Sequence, residues 1–174
     1  MKIDKLFLHG SLIIVILISC TAIKKKSSSY LSSGIENITL FPANKKDSLK
    51  INSFDLAGKR FSEKCKREKL NCIDDSGIMT LNAEFPKGIY NFRIVLFDKF
   101  KLPVDSKAGE NRVRITIGTQ NDLEKVEILR YTDENTKKAI ENVFKLKELN
   151  TWKSAKIYGI PVKEQFEISI FTKQ

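Results

Sequence analysis

Histidine is almost missing from this sequence: His9 is the only one in 174 residues, and it lies inside an N-terminal apolar run. With that run removed on export, no histidine remains, which excludes a Ser-His-Asp or Cys-His nucleophile system and the usual histidine-containing zinc sites. The glycines Gly58, Gly77, Gly88 and Gly109 stand singly, so no glycine-rich loop is available to cradle a phosphate. RNP and zinc-finger spacings are also missing, and no nucleic-acid partner is expected. Cysteine is scarce: Cys20, Cys65 and Cys72 make up the total of three, and the latter two lack the C-x-x-C spacing a redox site prefers. Asp74 and Asp75 beside Gly77 read as a solvated turn rather than an acid-base pair. The expectation is a protein without catalysis, cofactor or metal.

What is present is ordinary globular material, 41% hydrophobic and 30% charged, enough for one modest core plus an appendage. The formal net charge is +10. The basic residues are mixed with Asp and Glu along the chain, apart from Lys24-Lys25-Lys26, so the excess reads as a solvated basic surface.

Residues 1–19 have a charged start at Lys2 and Lys5, an apolar run from Leu6 to Ile18, and then Leu17-Ile18-Ser19-Cys20. This resembles a bacterial lipoprotein signal peptide, with Cys20 as the lipidated first residue of the mature chain. A thiol is nucleophilic enough to take a diacylglyceryl group, and the small residue before it suits a narrow peptidase pocket. Multiple acyl chains hold a protein stably at a membrane, where a single chain does not. The other reading is an uncleaved anchor over residues 6–23, at the short end of the roughly 17 to 25 residues a spanning helix needs. Export as a lipoprotein implies the cell envelope, an oxidising compartment, and a chain facing the periplasm.

Residues 20–34 read as a lipidated polar tether, its basic triplet placed to lie against headgroups. Residues 35–82 read as a small β-rich segment, with short strands at Ile38-Thr39-Leu40-Phe41, Leu49-Lys50-Ile51 and Ile78-Met79-Thr80-Leu81. Phe61 to Leu70 is strongly charged and fits a helical turn or a loop. Cys65 and Cys72, an even pair in an exported chain, are expected to form a disulfide closing a small loop.

Residues 83–174 are clearer. After a turn at Phe85-Pro86-Lys87-Gly88, the apolar residues Phe92, Val95, Leu96 and Phe100 fall at helical spacing, while Tyr90, Phe92, Ile94 and Leu96 also alternate as in a strand. Val113, Ile115 and Ile117, a turn at Gln120-Asn121-Asp122, then Val126 and Ile128 predict an antiparallel hairpin with one buried face. From Asp133, Ala139, Ile140, Val143 and Leu146 recur at three and four residues, predicting an amphipathic helix over that face. Phe166, Ile168 and Ile170 return to period two in a last strand. Trp152 is expected to be a core or rim anchor.

Glu84-Phe85-Pro86-x-Gly88, Lys101-Leu102-Pro103, Val113-x-Ile115-x-Ile117, Asn121-Asp122-Leu123-x-x-Val126-x-Ile128-Leu129-Arg130, Trp152-Lys153-Ser154-Ala155 and Gly159-Ile160-Pro161-Val162 follow one another in an order and spacing that resembles the C-terminal domain of the TonB family. Ser154 stands where that family commonly has proline, and Asn121-Asp122 where it has Asp-Gly. The resemblance implies an α+β fold, a two-layer domain with a three-stranded antiparallel sheet on two helices, and it favours helix for the stretch after Gly88. It also implies recognition of an envelope protein or a TonB-box-like peptide, added as a strand beside the last one. The residues carrying that role would be Val162, Glu164, Phe166, Ile168 and Ile170. Two other functions stay open. One is a structural lipoprotein using the fold as a scaffold, including a homodimer; the other is energy transduction, should residues 6–23 remain as an anchor.

Overall fold

The computed structural model describes residues 30–72 and 79–173. The signal segment with Cys20, most of the tether, and Asp74-Asp75 lie outside the described residues. Among those described, seven strands build one sheet: β1 (Tyr30–Ser32), β2 (Glu36–Pro42), β3 (Thr80–Leu81), β4 (Gly109–Ile117), β5 (Leu123–Arg130), β6 (Ala155–Ile157) and β7 (Ile160–Thr172). Among the described residues three α-helices accompany them: α1 (Lys45–Glu68), α2 (Gly88–Lys99) and α3 (Glu134–Val143), with a short 3-10 turn at Lys147–Leu149. Strands and helices are segregated and every strand pair is antiparallel, so the chain is α+β.

The hairpin, helix and last strand read from periodicity are present as β4, β5, α3 and β7. Val113, Ile115 and Ile117 of β4, with Phe166, Ile168 and Ile170 of β7, point to one face, where they meet Phe92, Leu96 and Phe100 of α2 and its end and Ile140 and Val143 of α3. Trp152 sits at the middle of this core, 4% exposed, its ring packed on those of Phe85, Phe92 and Phe166 and its Nε1–H donating to the Leu149 carbonyl at 2.9 Å. The stretch after Gly88 is a helix. Its entry is a tight turn in which Gly88 N–H donates to Phe85 O at 2.7 Å, with Lys87 at φ 64° and Gly88 at φ 83°.

Three expectations are corrected. Among the described residues the sheet has seven strands, four of them (β4, β5, β6 and β7) within residues 83–174 where three were expected, and β7 lies in its interior. Residues 30–32 are not tether; they are a strand beside β7, held from the helix layer by Arg93, whose guanidinium donates to Ser32 O at 2.8 Å and Ser32 Oγ at 3.1 Å. In the described part of residues 35–82, the strands expected at Ile38-Thr39-Leu40-Phe41 and Thr80-Leu81 are present within β2 and β3, but Leu49-Lys50-Ile51 is not a strand: with the charged Phe61 stretch it belongs to a single 24-residue helix, α1. Asn44 starts that helix, its side-chain oxygen accepting from Asp47 N–H at 2.9 Å. At 1.5 Å per residue α1 is about 36 Å long. Only Ile51 and Cys65 on it are buried; Ile51 packs with Ala155 and Val162, and Phe54 lies against Tyr158. Cys65 is bonded to Cys72 at the far end. No helix among the described residues is long and apolar enough to cross a membrane.

Candidate functional site

The residues expected to recognise a partner are Val162, Glu164, Phe166, Ile168 and Ile170, and the structure places all five on the core side of β7, each at most 4% exposed. Neither edge of this strand is open. Gln165 is paired with Thr39 of β2 and Thr116 of β4, Glu167 with Glu36 and Arg114, and Ile170 with Ser32 and Asn111. Val162 is flanked by Pro42 and by Ala155 of β6. Between β1 and β2, Ser33 N–H donates to Ser169 O at 2.7 Å and Ser33 Oγ accepts from Ser169 N–H at 2.8 Å, so the chain's own N-terminal segment uses the backbone groups that an added strand would need. This corrects the assignment of β7 as the recognition edge.

The same segment explains the polar face of the sheet. Glu167 is 6% exposed and accepts from four groups: Asn37 Nδ2 at 2.9 Å, Arg112 Nε at 2.7 Å, and Arg114 Nε and Nη2 at 3.1 and 2.8 Å. The Asn37 bond and the Arg114 fork hold its carboxyl below the usual range, outweighing partial desolvation. Arg112 also reaches Glu36 at 3.2 Å, so one guanidinium bridges two carboxylates placed opposite each other on β2 and β7. These charges neutralise one another and fasten β2 to the sheet. Glu164, on the core side, accepts from Ala83 N–H at 2.7 Å, and burial pushes its carboxyl up.

The edges that remain belong to other strands. β5 pairs only with β4 among the described residues, and at eight residues it is the longest strand whose second edge is unpaired. The outer edge of β2 is interrupted at Asn37, where φ is 52° and the register shifts, and β3 has two residues. β5 is anchored at its start by a polar knot. Gly118 N–H donates to Asp122 O at 2.9 Å to close the β4–β5 turn, and Leu123 N–H donates to Asn150 Oδ1 at 2.5 Å. Sequence reasoning missed this edge because side-chain periodicity reports which face of a strand is buried, not which edge is paired.

Away from the sheet, an open groove of about 770 Å³ runs between the end of α2 and α3, its floor made by Pro103, Ala139, Val143 and Leu146 and its rim by Lys101 and Lys138. No group of three or more His, Cys, Asp or Glu among the described residues is arranged to hold a metal ion. The Cys65–Cys72 pair expected from the sequence is bonded in the structure and caps the end of α1, far along the helix from its contact with the sheet. Cys20 lies outside the described residues.

Comparison of the chain with protein-family models, with curated proteins and with solved structures finds no match.

Proposed function

We propose that this chain is a membrane-tethered, non-enzymatic binding module of the cell envelope, which recruits a protein by strand pairing at the open edge of its sheet. The observation that carries this reading is β5, an eight-residue strand hydrogen-bonded on one side only among the described residues. An unpaired strand edge offers backbone donors and acceptors in a row, and a partner strand satisfies them with little demand on side-chain identity. The order of β4, β5, α3 and β7 supports a TonB-type C-terminal fold for residues 83–174. The recognition edge moves from β7 to β5, since β1 and β2 occupy the older candidate. Tethering through a lipidated Cys20 places the domain close to the bilayer: the ten residues from Cys20 to Tyr30 reach at most ~35 Å when fully extended.

Two measurements test this. Labelled fatty acid should enter the wild-type chain and be lost in Cys20→Ala; equal labelling of both removes the tether. A photocrosslinking residue at Lys125 in intact cells should trap a protein, and recovering no adduct from that edge sinks recognition by β5.

The scaffold reading, in which the fold organises copies of itself, gains from the closure of β7, because a sheet completed by its own chain no longer needs a strand from outside at that position.

A further inference from the structure

We propose that the open edge of β5 pairs with β5 of a second copy of this chain, antiparallel, about a two-fold axis through Val126. This names the partner for edge recognition and rests on that reading. Relative to β4, β5 carries one extra residue near each end: the register steps from Arg112 opposite Arg130 to Val113 opposite Ile128, and from Thr116 opposite Lys125 to Ile117 opposite Leu123. Leu129 and Glu124 are the bulged positions. Bulges interrupt regular pairing, so an incoming strand meets a regular window formed by Lys125, Val126, Glu127 and Ile128. Val126 and Ile128 pack toward the core of their own domain, and Lys125 and Glu127 alternate with them on the polar face.

That window selects its partner by charge. Residues directly opposite in an antiparallel pair share a face of the sheet, so a two-fold axis normal to the sheet lies midway between a residue and its own copy and is labelled by that residue. An axis through Lys125 or Glu127 sets that charge against its own copy, which is destabilising. An axis through Ile128 sets Glu127 against the bulged Leu129 and Lys125 against Tyr131, with no charge matched; an axis through Val126 meets a bulged residue only at its outer pair, Ile128 against Glu124. An axis through Val126 sets Lys125 against Glu127 of the second copy, and does so twice. Within one chain these two side chains meet at 2.9 Å but are 61% and 34% exposed, so their mutual attraction is weak and readily exchanged. A contact this short associates weakly in free solution. Chains tethered to one membrane meet at a high effective concentration, the condition under which a weak, register-specific contact is useful.

The test is the mass of the full-length chain in detergent micelles as a function of concentration, followed by sedimentation. Wild type should self-associate. Lys125→Glu and Glu127→Lys each place like charges opposite one another twice and should weaken association at least about tenfold, while the double variant Lys125→Glu/Glu127→Lys restores the match and should recover it. Thermal melts of the single variants guard against misfolding, and Lys125→Gln, which removes one charge without reversing it, should fall between wild type and Lys125→Glu. A monomeric wild type, single variants that associate as wild type does, or a double variant no better than the singles each overturns the proposal. If the wild type is monomeric but a crosslinker at Lys125 traps a different protein, self-pairing falls and edge recognition stands. No self-association and no adduct overturns both.

Discussion

Asn121 and Ser154 exchange hydrogen bonds in both directions: Asn121 N–H donates to Ser154 Oγ, and Ser154 N–H donates to Asn121 Oδ1, each at 2.9 Å. Ser154 Oγ also donates to Gly118 O at 2.6 Å, so one hydroxyl locks the β4–β5 turn onto the start of β6. Asn121 sits at φ 62°, a left-handed conformation that asparagine tolerates better than most residues. A buried hydroxyl here does the work of a turn glycine by fixing the strained residue from outside. Ser154→Ala should therefore lower stability by about 1–3 kcal/mol, the cost of leaving the buried Gly118 carbonyl and the part-buried Asn121 N–H without their partner. Ser154→Pro should cost more, because it also deletes the N–H that Asn121 Oδ1 receives. Thermal melts of the two variants check the order; a neutral Ser154→Ala would mean the turn holds without that knot.

Acid should attack the start of α3. Asp133 is its N-cap, accepting from Thr136 N–H at 2.8 Å, from Thr136 Oγ1 at 2.7 Å and from Lys107 N–H at 2.9 Å. Burial opposes its charge, but these bonds outweigh that and hold the carboxyl far below the usual carboxylate range. A depressed folded pKa means that the stabilisation is complete above the unfolded value and is lost as pH falls through the folded one. Wild type should lose stability steadily below about pH 4, and Asp133→Asn, which keeps a capping oxygen, should show a shallower acid slope. Asp133→Ala should cost about 1 kcal/mol near neutral pH through the lost cap alone. Parallel acid slopes for wild type and Asp133→Asn would dismiss this origin.

Glu164 should behave oppositely. Burial raises its folded pKa above the ordinary glutamate value, with only the Ala83 N–H bond favouring the carboxylate. Its contribution is then most favourable below the unfolded pKa and is lost as pH rises through the folded one. Glu164→Gln retains an acceptor for Ala83 and removes the buried charge. The variant should be more stable than wild type at neutral pH, with the difference vanishing as pH drops below about 4.5. A constant difference across this range would show that packing, not ionisation, distinguishes the two.

The β4, β5, α3 and β7 unit was legible because each part announces itself locally. Val113, Ile115 and Ile117 alternate, and Ile140 and Val143 step by three, so burial of one face follows from spacing alone. Strand order is different. The alternation of Phe166, Ile168 and Ile170 is the same for a central strand as for an edge, and the hydrogen bonds from β1 and β2 are backbone properties that no side chain records. Glu167 offers no cue either: a glutamate on the polar face of a strand suits a solvated surface, whereas here arginines and Asn37 seal it. In α1 the readable cue is Asn44 three residues before Asp47, a helix start, but the alternating triplet Leu49-Lys50-Ile51 fits a strand equally well.

The disulfide should matter to α1 and hardly to the sheet. Cys65 and Cys72 are seven residues apart, so in the chain-entropy model the bond is worth about 2.5 kcal/mol, all of it local to the helix end. Reduction, or Cys65→Ser with Cys72→Ser, should fray the last turns of α1, seen as lost helical circular dichroism and faster amide exchange near Lys64 to Lys69. Exchange in β4 and β7 should stay as it was. If the whole domain loosens together, α1 is part of the cooperative core rather than an arm projecting from it.

Finally, the clasp between β2 and the sheet can be opened from one residue. Arg112 bridges Glu36 and Glu167, which face each other across the β2–β7 pair. Arg112→Ala leaves two carboxylates opposed, one of them buried, while Arg114 and Asn37 still hold Glu167. The cost should be about 1 kcal/mol, because the guanidinium is a third exposed and water screens part of its charge. The effect should also be uneven: amide exchange should quicken in β2 and along the matching edge of β7, leaving the β4–β5 pairing protected. Arg112→Lys should restore little, since an ammonium cannot fork between two carboxylates. Uniform quickening throughout the sheet would show that the N-terminal segment and the rest of the domain open as one unit, and that β7 is never exposed on its own.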